Sequence, residues 1–446
     1  MTQAFDAAAQ QVLLETRAET ALALARRLGA DACEVGASVD QGVGVSVREG
    51  EVESVELTRD QGIAVTVYVG QRKGSASSTD SSEASIRDVV EKALAIARYT
   101  GEDPAAGLAD AELMARELPD LNVHHPWALS TEQAIEMALA CETAGRGVTG
   151  IKSSDGANLS TGEGVRVYGN SHGFIGAQRG SRHSLSCVLI AEDAAGMQRD
   201  YDYTSARDPR ELLSPEAVGQ SAAEKTLARL GSRRPPTGRL PVMFDPRLAS
   251  GLVGHLMSAI AGGALYRQAS FLCDRLGESL LPDWFSLHEQ PMEVGAMASS
   301  PFDSDGVQTR DNVFIDKGRL ASYMLSAYSA RRLGMQTTAN AGGARNLRIS
   351  APLTERDALL AQMDRGILVT ELMGQGVNSV TGDYSRGAAG FWVENGRIQH
   401  AVEEFTIAGN LNAILAGLVG VGSDIDTRGS IHSGSWLIDE MTIAGG

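Results

Sequence analysis

The sequence predicts an α+β fold, with an N-terminal antiparallel sheet covered by helices and a mostly antiparallel, β-rich C-terminal domain with a few helices. Three observations support this prediction. Segments of alternating apolar and polar residues, punctuated by glycine, lie between two helical segments in the first hundred residues. The same order of helix, strands and helix returns between residues 131 and 230, which indicates a possible helix–meander–helix duplication. Beyond residue 300 the chain carries hairpin signals and few helical patterns.

The N-terminal half begins with a predicted helix over residues 3–29, which is rich in Ala, Leu and Glu and stops at Gly29. Connections too short for crossovers make the following strands antiparallel. A second helix over 82–99 has Ser82 as its N-cap. The predicted strands of this first unit cover residues 32–39, 43–48, 51–59, 63–69 and 72–77. The second unit has helices over 131–144 and 215–230, and its predicted strands cover residues 150–154, 157–168, 174–179, 184–191 and 197–204.

Two prolines and two glycines within residues 231–238 predict an exposed linker. We therefore expect an N-terminal α+β domain over 1–230 and a C-terminal β-rich domain over 239–446. The second domain opens with a strand, Leu240–Phe244, and then a helix within the stretch Ala249–Arg267. Later signals are an N-G turn within 390–399, a D-K-G turn at 316–318 and a helix at about 411–419.

Composition narrows the functional classes. The 446-residue chain is 43% hydrophobic and has a formal net charge of −17, which argues against a nucleic-acid surface because such a surface needs clustered basic residues. Its four cysteines form no C-x-x-C pair. We expect no membrane span, and the first residues lack the pattern of a signal peptide. The sequence therefore predicts a cytoplasmic protein.

Two local patterns favour structural interpretations over chemistry. His183 and Cys187 lie four residues apart on a predicted strand, but a zinc site needs more ligands than these two, so a half-buried strand surface is the better account. Gly169–Gly173 matches G-x-S-x-G around Ser171. That motif requires a strand-to-helix turn, whereas here it joins two predicted strands, which favours a polar hairpin turn.

A glycine-rich stretch over residues 372–390 is the main candidate for substrate binding. Glycine allows another chain to approach the backbone closely, and an extended peptide could lie against it. A turn-rich loop is the alternative interpretation. The residues predicted to contact a peptide are Gly374, Gln375, Gly376, Asn378, Thr381 and Gly382.

Four stretches carry a resemblance to a known family. The chain resembles the TldD/PmbA family, once called modulators of DNA gyrase, and is similar to its PmbA (TldE) branch. The similarity runs nearly end to end and is weaker before residue 230, where residues 48–53 fit best. The stretches that carry it are residues 254–267, 301–310, 328–334 and 376–396.

The resemblance implies a cytoplasmic zinc peptidase built as a heterodimer of TldD and TldE. The TldD branch carries H-E-x-x-x-H on the helix that here begins near Ala249, and a cysteine near its C-terminus. In this chain His255 takes the second histidine position, whereas Ser250 and Gly251 stand at the first histidine and the glutamate. Residues 426–434 hold no cysteine. We therefore predict no catalytic residue and no metal site on this chain, with His255 a lone remnant packed in the helix.

The family implies action on unfolded or peptide substrates, including microcin maturation and antitoxin degradation. We expect this chain to be the non-catalytic subunit, with zinc on a TldD-like partner, extended peptides as ligands and a homodimer as a possible state when alone. Two alternatives stay open. One is an independently active metallopeptidase that uses His183, His432 or a carboxylate. The other is a non-enzymatic peptide-binding or gyrase-linked regulatory protein.

Overall fold

The N-terminal half contains the same unit twice, and the two units share one sheet. The computed structural model describes residues 5–446. Each unit has a helix, antiparallel strands and a second helix in the order that the sequence predicted. Each unit contains three strands, and the sheet order is β3-β2-β1-β4-β5-β6. The first unit contains α1 (Ala7–Arg27), β1 (Ala32–Arg48), β2 (Glu51–Val69), β3 (Arg72–Ser78) and α2 (Glu83–Tyr99). The second contains α3 (Thr131–Arg146), β4 (Ile151–Asn170), β5 (Ile175–Asp193), β6 (Gly196–Ala206) and α4 (Pro215–Ala228).

The strands are longer than the sequence indicated, and this corrects the prediction of five short segments in each unit. Residues 32–39 and 43–48 form the single strand β1, which runs through Gly42. Gly42 is paired on both sides, with Thr58 of β2 and Gly162 of β4. Ladder hydrogen bonds on both edges outweigh the conformational penalty of about 0.5–1 kcal/mol that glycine carries in a strand. The first two residues of the predicted helix 3–29 lie outside the described residues.

All four helices cover one face of the six-stranded sheet. Near one end of the long strands, α1 and α2 pack on Val35, Val39 and Val65. Near the other end, α3 and α4 pack on a second cluster that includes Leu159 and Leu189. The opposite face of the sheet carries the polar residues of each strand, because side chains alternate between the two faces.

The C-terminal half is built from two smaller sheets. Five strands, β7, β13, β14, β15 and β18, form a closed ring in which β18 pairs with both β15 and β7, and β16 and β12 extend it. A second sheet has the order β10-β9-β8-β11-β17. The strands are β7 (Gly238–Phe244), β8 (Ser286–Glu289), β9 (Asn312–Asp316), β10 (Arg319–Leu320), β11 (Leu347–Ser350), β12 (Leu353–Thr354), β13 (Gly366–Met373), β14 (Asp383–Glu394), β15 (Arg397–Asn410), β16 (Leu418–Gly422), β17 (Ile431–His432) and β18 (Trp436–Ala444).

Five helices accompany these sheets, and the main core lies between them. Trp436 is fully buried there, its ring contacts Phe285 edge to face, and its indole N–H donates to Ser433. Both predicted hairpins are confirmed, since Lys317 and Asn395, each followed by glycine, adopt the positive φ of type I′ turns. The helices are α5 (Pro246–Ala259), α6 (Gly262–Tyr266), α7 (Ala327–Leu333), α8 (Arg356–Met363) and α9 (Leu411–Ala416). Across residues 5–446, no helix combines the length and apolar character needed to span a bilayer.

Candidate functional site on helix α5

Helix α5 follows β7 after a single capping residue. The Asp245 carboxylate accepts a hydrogen bond from the backbone N–H of Arg247 at 3.3 Å, and Pro246 occupies the first helical turn. Both features start a helix, because the cap satisfies a free N–H and proline has none to lose. The apolar stripe predicted from the sequence is buried, with Leu252 and Leu256 in the main core.

The opposite face of α5 carries Ser250, Gly251, Gly254 and His255. The Ser250 hydroxyl donates to the carbonyl of Arg247 at 2.7 Å, so it is used within the helix. A Cβ atom built on Gly251 or Gly254 would meet no other atom within 4 Å. There is therefore room for larger side chains on this face, and the residue types present leave that room unfilled.

His255 is half-buried and contacts an aromatic ring. Its ring lies edge to face against Tyr384, with 6.0 Å between the ring centroids. Burial lowers the pKa of His255, and the nearby positive charge of Arg386 lowers it further. Burial also raises the pKa of Tyr384 to about 12, so the phenol stays neutral. A neutral imidazole beside an arginine is suited to packing, and the arginine disfavours a cation at this position.

The segment that would complete a metal site lies on strand β17 and the loop before it. His432 is half-buried, and its pKa is lowered mainly by burial and further by Arg348. Arg428 fixes the loop by donating to Asp426 and by contacting Asp202 of β6 at 3.0 Å. Within residues 5–446, no group of three or more His, Cys, Asp and Glu side chains is arranged to hold a metal ion.

Residues 374–382 of the glycine-rich stretch form the hairpin loop between β13 and β14, whereas residues 372–373 and 383–390 belong to the two strands. The backbone of this stretch is partly used within the loop, because the N–H of Ser385 donates to Gly376 at 2.7 Å and the Asn378 side chain accepts from two backbone N–H groups. A Cβ on Gly376 would lie 1.8 Å from the carbonyl oxygen of Ser385, so the close approach that glycine permits here is to its own chain. Five of the six predicted peptide contacts are exposed, and Gly382 is buried. Their role in binding stays a prediction.

The His183–Cys187 pair and the G-x-S-x-G string around Ser171 both have structural roles. His183 contacts the Thr161 hydroxyl at 2.7 Å and the carbonyl of His125 at 2.9 Å, and burial lowers its pKa. Cys187 is fully buried on the same strand. Ser171 lies in the turn between β4 and β5, where its hydroxyl accepts from the backbone N–H of Cys33. The G-x-S-x-G string is therefore a hairpin turn, as predicted.

Sequence reasoning missed Tyr384 and Arg386, which surround His255. They lie about 130 residues further along the chain, on β14, and no spacing rule links them to α5. The sequence placed residues 383–390 in the glycine-rich stretch, whereas they belong to β14, and which face of β14 meets α5 depends on the closed ring of strands.

Comparison with known proteins gives consistent matches along the chain. Residues 33–97, 124–230 and 237–445 match the models for domain 1, the central domain and the C-terminal domain of the PmbA/TldA metallopeptidases. The chain is 48% identical to Metalloprotease PmbA of Escherichia coli O157:H7, over 98% of this chain and 97% of that one. It is 46% identical to the Metalloprotease PmbA homolog of Haemophilus influenzae, over 98% and 97%.

Solved structures are similar over almost the whole chain. A protein of Bacteroides thetaiotaomicron, described as a candidate modulator of DNA gyrase, is 28% identical with a TM-score of 0.91 and covers 97% of this chain and 99% of its own. TldE of Thermococcus kodakarensis has a TM-score of 0.82 at 19% identity, over 96% of this chain and all of its own. This second match concerns the fold alone.

Proposed function

Since the chain belongs to the PmbA/TldD family of metallopeptidases, we propose that it is the PmbA/TldE-type subunit of a two-chain zinc metallopeptidase. A TldD-type partner supplies the zinc site, and this chain supplies binding surface. The complex acts in the cytoplasm on unfolded or peptide substrates, of the kind processed in microcin maturation and antitoxin degradation.

The observation that carries the proposal is the residue set on helix α5. A catalytic zinc needs three protein ligands and an open position. Here Ser250 and Gly251 provide neither an imidazole nor a carboxylate, and His255 packs against Tyr384 near the positive charge of Arg386. These residues do not fit a catalytic zinc ion, so no chemical step is assigned to this chain.

The contribution of this chain to peptide binding depends on which strand edges are free. The ring of β7, β13, β14, β15 and β18 is closed, so the fully paired segments of these strands have no free edge to which a peptide strand could add. The loop between β13 and β14 remains exposed over most of residues 374–381. Backbone pairing at such a place tolerates many peptide sequences, because main-chain hydrogen bonds do not distinguish side chains.

The proposal is tested by mixing the purified chain with a TldD-type protein that carries H-E-x-x-x-H. We expect a heterodimer by light scattering, about one zinc per heterodimer by elemental analysis, and cleavage of an unfolded peptide only in the mixture. This chain alone is expected to bind no stoichiometric zinc and to form either a monomer or a homodimer. Zinc together with peptidase activity in the isolated chain, both lost in His255→Ala, would instead establish an independent enzyme.

A pair of substitutions sharpens the test. Ser250→His with Gly251→Glu restores the motif on the face of α5 that carries His255, where a Cβ on Gly251 would meet no atom within 4 Å. We expect this variant to fold and to bind zinc weakly, because a third ligand is still missing. Ser258→His, on the same exposed side of α5, is the matched control for adding an imidazole. Failure of any TldD-type protein to associate would favour the non-enzymatic alternative.

A further inference from the structure

One edge of the N-terminal sheet is free along part of β2. Strand β3 pairs with β2 only from Ile63 to Val69, whereas residues 51–61 of β2 pair with β1 alone. Within residues 5–446 no other strand borders this stretch, and each of its side chains except Ser54 is exposed. The outward backbone N–H and C=O groups of residues 51–61, called the free edge below, therefore have no neighbouring strand.

The free edge lacks two features that often keep an edge strand from pairing. It contains no proline and no lysine, and it is longer than a typical strand of about 5–6 residues. The turn before it is fixed, because the backbone N–H groups of Glu49 and Gly50 each donate at 2.8 Å to the buried carboxylate of Glu142 on α3. A strand that pairs here therefore meets an edge that is already ordered, which lowers the entropy cost of binding.

One face of the free edge is apolar. Val47 and Val45 of β1 are buried in the cluster under α3, and side chains directly opposite each other on paired strands share a face. Their partners on β2, and the residue two positions further along, continue this apolar row to the edge of the sheet. These residues are Val52, Val55 and Leu57, which are 45%, 40% and 64% exposed. The core under α3 thus reaches the free edge and ends there uncovered.

The other face of the free edge is acidic and borders an open trough. Glu56, Thr58 and Asp60 line this trough, which has a volume of about 770 Å³ and lies on the face of the sheet without helices. Neither Glu56 nor Asp60 forms a salt bridge within the described part of the chain. Negative charge prevails along the whole free edge, with Glu51, Glu53, Glu56 and Asp60 against the single cation Arg59. This surface therefore attracts a cationic segment.

We propose that an extended peptide in which basic and apolar residues alternate adds to the free edge as a further strand. Successive side chains of such a peptide point to opposite faces, so its apolar residues cover Val55 and Leu57 while its basic residues lie beside Glu56 and Asp60. Main-chain hydrogen bonds to the free edge supply affinity, and the two faces select the alternation. This inference rests on the proposed function for the peptide nature of the ligand, and it names the class of peptide.

A second copy of this chain fits the free edge less well than a cationic peptide does. The antiparallel register that sets Val55 against Leu57 of another copy also sets Glu56 against the Glu56 of that copy. Like charges directly opposite each other destabilise a pair of strands. Each free edge also carries more acidic than basic side chains, so charge opposes self-pairing and favours the peptide.

Binding of labelled peptides to the isolated chain, measured by fluorescence anisotropy, tests this inference. The first ten-residue peptide alternates Lys and Val, and the second alternates Glu and Val. The third has the lysines and valines in pairs, which puts both residue types on each face. The fourth is the first peptide with N-methyl groups on two consecutive central residues, which removes donors that strand pairing needs. We expect the first peptide to bind at least tenfold more tightly than each of the others, and equal affinity for any of them would overturn the proposal.

Reversal of charge assigns the binding to the acidic face. The double variant Glu56→Lys with Asp60→Lys is expected to bind the Lys-Val peptide at least tenfold more weakly and the Glu-Val peptide more tightly. Glu19→Lys with Glu224→Lys is the matched control, because it changes the net charge equally at exposed positions on α1 and α4. Equal losses of affinity in the two double variants would overturn the proposal.

The apolar face is tested by Leu57→Thr, which keeps a residue suited to a strand. We expect this variant to bind the Lys-Val peptide three- to tenfold more weakly. Met197→Thr is the control, because Met197 is 71% exposed on β6 at the opposite edge of the sheet. Equal affinities of the two variants would overturn the proposal. A dimer of the isolated chain that dissociates in Leu57→Thr, without peptide binding, would assign the free edge to a second copy and also overturn it.

The outcome is separable from that of the proposed function. If the mixture with a TldD-type protein cleaves peptides while the isolated chain shows no preference among the four peptides, only the free-edge site fails. If the preference is present and depends on Glu56 and Asp60, but no TldD-type protein yields activity with this chain, the free-edge site stands and the proposed function fails.

Discussion

Replacing Gly251 and Gly254 of helix α5 by alanine should stabilise the isolated chain. Both glycines are inside the helix, and a Cβ on either would meet no atom within 4 Å. Alanine therefore gains helix propensity without a clash, and glycine is less favourable than alanine in a helix by about 0.8–1 kcal/mol per residue. We expect each substitution to raise the free energy of unfolding of the C-terminal half by about 0.8 kcal/mol, and the double variant by about 1.6 kcal/mol.

Equilibrium unfolding in urea, followed by tryptophan fluorescence, measures this effect, because Trp436 lies in the core that α5 helps to form. With a urea dependence of about 3 kcal/mol per molar, each substitution moves the midpoint upward by about 0.3 M. Gly219→Ala in α4 is the matched control, and for this substitution we expect a loss of stability instead of a gain. Its Cβ would lie 2.1 Å from the carbonyl oxygen of Cys141, so we expect a loss of about 3 kcal/mol or more.

The reasoning fails if Gly251→Ala lowers the midpoint of the isolated chain. Such a result would mean that the face of α5 is occupied or that the helix needs glycine at this position. A raised midpoint together with weaker association with a TldD-type protein would instead show that the partner uses the open face.

The remaining predictions concern pH, the contact between the two halves and a buried carboxylate. His255→Phe keeps a ring beside Tyr384 but removes the titrating group. Because folding lowers the pKa of His255, the stability that the neutral imidazole contributes is complete above the ordinary pKa near 6.5 and is lost as the pH falls below it. The variant should therefore lose less stability between pH 7.5 and pH 5 than the native chain. Arg428→Met breaks the hydrogen-bonded ion pair with Asp202 and should lower the free energy of unfolding by about 3 kcal/mol, measured in urea. Glu289→Leu leaves two asparagine side chains and a backbone N–H without their acceptor in the interior, which should destabilise the chain by about 3–5 kcal/mol by the same measurement.

Each of these predictions has a clear contrary result. Equal pH slopes for the native chain and the phenylalanine variant would show that folding does not lower the pKa of His255. Arg199→Met is the control: it removes an exposed arginine near Asp155 and should change the free energy of unfolding by less than about 0.5 kcal/mol. If Arg428→Met changes stability no more than this control, the ion pair between the two halves contributes little to stability. Glu289→Gln keeps one acceptor, so it should be milder than the leucine variant.

The local elements of this fold follow from the sequence because their causes are local. The N-G and D-K-G turns are type I′ hairpins in the structure, where Asn395 and Lys317 are each followed by a glycine that accepts the positive φ these turns require. The stripe of Leu252 and Leu256 marks the buried face of α5 in both the pattern and the structure. By contrast, the pattern predicted separate strands over residues 32–39 and 43–48, although pairing of residues 40–42 on both sides keeps β1 continuous.

The sequence by itself determined the fold class, the two helix–strand–helix units, the family and the residue types on α5. Only the tertiary structure decided that β1 and β4 join the units into one sheet and that Tyr384 and Arg386 lie near His255. The physical reason is that spacing along a strand or helix fixes which side chains share a face, whereas strand order and ring closure decide which faces meet. Those long-range pairings depend on packing across the whole chain, so no short stretch of sequence indicates them.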